Sequence, residues 1–102
     1  MPDPRSTVEL ALACRDAEWI PPHIQWDRVS KGPGYCEPQI ERIVWAAAVH
    51  LLENEWEVEC TRLGLMWSGP YGKYREDDRV RVADENPLRA TLLAAIAAEE
   101  QS

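Results

Sequence analysis

The strongest constraint on this chain lies in residues 37–60, where an apolar period of three and four gives way to a period of two. Ile40, Ile43, Val44, Ala47, Ala48, Leu51 and Leu52 fall on one face of a helix. Pro38 suits the first turn of that helix, where its missing N–H costs nothing. Past Asn54, Trp56, Val58 and Cys60 alternate with Glu55, Glu57 and Glu59, the spacing of a strand with two unlike faces. Any fold for this chain must carry a helix that runs straight into a strand.

The flanking segments are read around that junction. Ser6 and Glu9 have the spacing of a capping box, which predicts a helix from about Thr7 to Glu18. Leu10, Ala13, Cys14 and Ala17 share its inner face, with Val8 and Leu12 beside it. Trp19-Ile20-Pro21-Pro22 ends it, because a proline disfavours helix in the residue before it. Residues 19–36 read as a long irregular loop, ordered by Ile24, Trp26, Val29 and Tyr35. Strands are expected at 55–61, at Leu65-Met66-Trp67 after a turn at Gly64, and at 79–83, where Val80 and Val82 point inward. Residues 68–78 form an exposed loop. Asn86 as N-cap and Pro87 at the first helical position open a closing helix. Leu88, Leu92, Ala95 and Ile96 are its buried stripe, with Leu93 alongside.

The reading is thus α+β: an N-terminal helix, a long ordered loop, a central helix, a three-stranded antiparallel sheet, and a C-terminal helix packed on one sheet face. The 102 residues suit a single domain, with residues 1–5 frayed. A chain this short buries a modest share of its surface, so self-association into a homo-oligomer is a further expectation. Val8, Leu10 and Leu12 on the first helix are the candidate surface for it.

The net charge of −7 is unevenly spread. Residues 37–59 carry six glutamates against one arginine, whereas basic residues gather in 60–82. An acidic balance argues against general nucleic-acid binding, which needs cations to displace counterions from phosphate. It argues equally against an anionic membrane surface, and no apolar run is long enough to span a bilayer. With no signal-peptide pattern and three cysteines, the expected location is the cytoplasm, with reduced thiols.

Catalytic motifs are missing. His23, His50, Cys14, Cys36 and Cys60 fall at no zinc-ligand spacing, so no metal and no cofactor is expected. His50 reads as a packed or surface histidine, and the cysteines read as small buried hydrophobes. Cys36, in a Gly/Pro loop, is the one to test for reactivity. Ser68 sits in a turn without a base placed by sequence, and Gly69 to Lys73 lacks phosphate-loop spacing. The chain is therefore read as a non-enzyme.

Two binding features remain. Glu53, Glu55, Glu57 and Glu59 form either a solvated sheet face or an acidic strip that docks on a basic protein surface. Trp67, Tyr71, Lys73, Tyr74 and Arg75 interleave aromatic rings with cations. Such a loop either folds its rings onto the sheet edge or binds a nucleotide-like small molecule or a protein partner.

The order of Trp45 with Leu51 and Leu52, then Trp56 to Cys60, then Pro87-Leu88-Arg89-Ala90 onward to Ile96, resembles the phage ABA sandwich domain family over residues 38–98. The segment Cys36-Glu37-Pro38 departs from that family's usual opening of the first helix. The family carries no catalytic residues to transfer. The resemblance implies a phage or prophage accessory protein acting inside a bacterial cell. With the small size, the acidic surface and the missing catalytic constellation, the expected function is binding of a host component, as an inhibitor of a defence system. The alternative is a homo-oligomer that sequesters a nucleotide signal through the 67–81 loop.

Overall fold

The computed structural model describes residues 4–31, 37–69 and 80–101. Four helices and one sheet make an α+β fold: α1 (Thr7–Ala13), α2 (Trp26–Val29), α3 (Glu37–Glu53), β1 (Glu57–Thr61), β2 (Gly64–Gly69), β3 (Val80–Asp84) and α4 (Pro87–Gln101). The strands run antiparallel in the order β1-β2-β3.

α4 holds the molecule together. It packs on β2 and β3 on one side and on α1 and α3 on the other. Its small residues Ala90 and Ala94 meet Trp56 and Trp67 of the sheet side together with Leu51 of α3. Its large residue Leu92, with Leu93 and Ile96, meets Leu10, Ile40, Ile43 and Val29. Alanine on the sheet-facing side lets the helix sit close over bulky tryptophans, and leucine fills the wider gap toward the helices. The buried set is therefore broader than the single stripe expected, running through Ala90, Thr91, Leu92, Ala94 and Ala95.

The helix ends follow local chemistry. The Ser6 hydroxyl accepts the Glu9 amide at 3.2 Å and donates to the Glu9 carboxylate at 3.2 Å. Asn86 Oδ1 accepts the Leu88 amide at 3.0 Å, and Asp84 Oδ1 accepts the Asn86 amide at 2.9 Å. Arg89 grips the Asp84 carboxylate through Nη1 and the Arg5 carbonyl through Nε and Nη2. Residue 5, expected to fray, is thereby tied to α4.

Three sequence readings are corrected. The first helix stops at Ala13, not Glu18. Beyond it the chain continues in three-residue turns, Ala17 N–H to Cys14 and Ile20 N–H to Ala17. This brings the Trp19 ring onto His50 of α3, with ring centroids 5.8 Å apart. The long loop contains α2, whose Val29 is fully buried, and Gln39 of α3 accepts the Gln25 amide at 3.0 Å. Four residues are too few to show a helical period. Finally, Ser68 and Gly69 belong to β2, and residues 70–78 of the expected loop lie outside the described residues.

The junction of α3 and β1 is built without glycine. The Trp56 amide donates to the Leu51 carbonyl at 3.0 Å and the Glu55 amide to the Leu52 carbonyl at 3.2 Å, while Glu55 has φ of 66°. This is a Schellman ending with glutamate where glycine is favoured. Trp56 and Leu51 make the accompanying apolar contact. A left-handed conformation costs a non-glycine residue about 1 kcal/mol. Glu55→Gly should therefore raise the unfolding free energy by up to about 1 kcal/mol, read by urea denaturation with an unchanged slope.

Candidate interaction surface

Among the described residues, β1 is an edge strand, and its five residues are all exposed. Register fixes which way each side chain points. Val58 pairs with Trp67, which pairs with Val82, and Cys60 pairs with Leu65. Trp67 faces α4, because its indole Nε1 donates to Thr91 Oγ1 at 3.0 Å, and Thr91 donates on to the Pro87 carbonyl at 2.9 Å. Val58 and Cys60 therefore point to the helix side of the sheet. The expected direction is right, but these residues are not buried. Among the described residues, the element packed on β1 is β2, and Val58 stays 41% exposed. α4 packs on β2 and β3.

Glu57 and Glu59 point to the opposite face, in rows with Ser68 and Arg81 and with Met66 and Ala83 respectively. Glu53 ends α3 and Glu55 occupies the left-handed turn, both exposed. The four glutamates thus surround one end of the β1 edge, on helix, turn and strand.

The aromatic loop fares differently. Trp67 is 2% exposed, with its indole N–H committed to Thr91, so its ring is a core element and not a stacking platform for a ligand. Tyr71, Lys73, Tyr74 and Arg75 lie outside the described residues, as does Cys36.

The cysteines split. Cys14 is buried, and burial, with Glu99 nearby, pushes its thiol up to about 11 against a smaller opposing pull from Arg5. At neutral pH the thiol form therefore dominates over the nucleophilic thiolate. Cys60 is free and exposed on β1, contrary to the buried reading. Among the described residues, no group of three or more His, Cys, Asp or Glu could hold a metal ion. No described helix is long and apolar enough to cross a membrane.

A second exposed apolar feature was missed from sequence. On α3, Trp45 is 73% exposed, Leu52 55% and Val49 37%. Leu52, expected on the inner face, belongs to this exposed stripe. The expected self-association surface on the first helix is instead built into the core, with Leu10 fully buried and Val8 and Leu12 packed against the same cluster. The signal available in sequence was the 4-and-3 spacing of Trp45, Val49 and Leu52, which marks a second stripe on the side of α3 away from the core.

No protein-family model, curated protein or solved structure matches this chain.

Proposed function

We propose that this protein is a non-catalytic binding protein whose β1 edge accepts an extended, basic segment of a partner protein. One observation carries the reading: β1 lies at the sheet edge with all five residues exposed, glutamates on one face and Val58 and Cys60 on the other. An uncovered edge offers backbone donors and acceptors to an incoming strand, and alternate side chains then set specificity. The glutamates favour a partner strand with Lys or Arg on one face and aliphatic residues on the other. The setting carried over from the family resemblance is that of a phage accessory protein inside a bacterial cell, and a host defence component is the partner we propose for it.

The test uses synthetic decapeptides alternating Lys with Val or Glu with Val, followed by isothermal titration. The Lys-Val peptide should bind, weaken as salt rises from 50 to 500 mM, and weaken about tenfold against the Glu59→Lys protein. Equal binding of both peptides, or of neither, would refute the edge-strand reading.

A further inference from the structure

The outer flank of α3 is unexplained by the β1 reading. Ile40, Ile43, Ala47 and Leu51 turn into the core. On nearly the opposite side of the helix, Trp45, Val49 and Leu52 form an exposed stripe at the 4-and-3 spacing of a coiled-coil seam. Beside them, Pro38, Glu41, Arg42 and Trp45, with Pro21 and Ala46, line a shallow open groove.

Positions 38, 41, 42 and 45 stand at i, i+3, i+4 and i+7, the four-residue hole that receives one side chain of a facing helix. We infer that the groove receives Leu52 from a second copy of this chain, in a two-fold antiparallel pairing of α3 with α3.

The flank is complementary to itself. A two-fold axis near Ala46 and Ala47 sets the partner's Leu52 over the hole and, by symmetry, Leu52 over the partner's hole. The same axis lays Val49 against the partner's Trp45. It also brings Arg42, the single Lys or Arg of α3, to the partner's Glu53 at each end. The Arg42 stem covers the incoming leucine while its guanidinium meets the carboxylate. A parallel pairing stacks Arg42 on Arg42 and Glu53 on Glu53, and so is disfavoured. Knob and hole, and cation and anion, sit at matched distances from one point on the helix, which is what an isologous interface requires. A foreign partner has no need of that symmetry.

This pairing is independent of the edge-strand reading, since β1 takes no part in it. The test is sedimentation equilibrium of the full chain over a concentration series. The wild type should approach twice the chain mass of 11.6 kDa. Leu52→Glu places a charge in the hole and should give a monomer with an unchanged circular dichroism spectrum. Arg42→Glu and Glu53→Arg should each weaken the dimer about tenfold, and the double exchange should restore it. Glu59→Lys should leave the constant unchanged. A wild type that stays monomeric at millimolar concentration would overturn the inference. So would a dimer indifferent to Leu52→Glu, or a charge exchange that fails to restore association.

Discussion

Gly64→Ala should lower the unfolding free energy by about 3 kcal/mol, combining backbone strain with a backbone clash. Gly64 opens β2 with φ of 127°, a conformation that side-chain-bearing residues rarely adopt. A Cβ there would fall 2.1 Å from the Asp84 carbonyl oxygen and 2.6 Å from the Glu85 Cα. Neither is a flexible side chain, so the strain cannot be relieved by a rotamer change. The close approach is where the β1–β2 hairpin meets the end of β3, next to the Asp84 and Asn86 groups that cap α4. Displacing it loosens the sheet and the start of α4 together. Domains of this size are stable by only about 5–15 kcal/mol, so the variant should melt some 15 °C lower by circular dichroism. A melting point within 3 °C of wild type would show that the hairpin turn is free to move away.

Leu51→Ala should cost about 3 kcal/mol, whereas Leu52→Ala should cost less than about 0.5 kcal/mol. The two leucines are neighbours in sequence and opposites in surroundings. Leu51 is fully buried among Trp56, Trp67, Ala90 and Ala94, and Leu52 is 55% exposed. Removing Leu51 leaves a void between three elements that are fixed from other directions, so the site cannot collapse. Its carbonyl also anchors the Trp56 amide, and the side chain is the apolar half of that turn. Urea denaturation of both variants at low protein concentration reads the contrast without a contribution from association. Similar costs at the two sites would mean that the flank of α3 is covered within one molecule.

Much of the architecture is written in short-range pattern. The period switch after Asn54, the Val80–Val82 alternation of β3 and the Asn86-Pro87 helix start each depend on a few adjacent residues. The helix starts where expected, while β1 begins at Glu57 because Glu55 is taken up by the left-handed turn. What sequence hides is long-range. The pattern of β1 says which way Val58 points. It cannot say whether anything lies above Val58, because that depends on how far α4 reaches across the sheet. Trp67 sits among tyrosines and cations in sequence, which suggests a ligand platform. In the fold, its register opposite Val58 and Val82 turns the ring under α4, where Thr91 waits for its N–H. The split between Leu51 and Leu52 is already readable in the helical period: Leu51 lies at the centre of the apolar arc, and Leu52, about 100° further round, lies at its margin with Trp45 and Val49.

The place of α4 in the chain also bears on how the protein is made. Both halves of the core, the sheet side and the helix side, close only on this last helix. A nascent chain that has not reached Pro87 holds three helices in mutual contact, α1 to α3, and a meander, and both of their clusters still lack the α4 side. Its Trp56 and Trp67 then face water on the side that α4 will cover. Folding therefore waits for synthesis to pass α4, and until then the two tryptophans are exposed to chaperones and to neighbouring nascent chains.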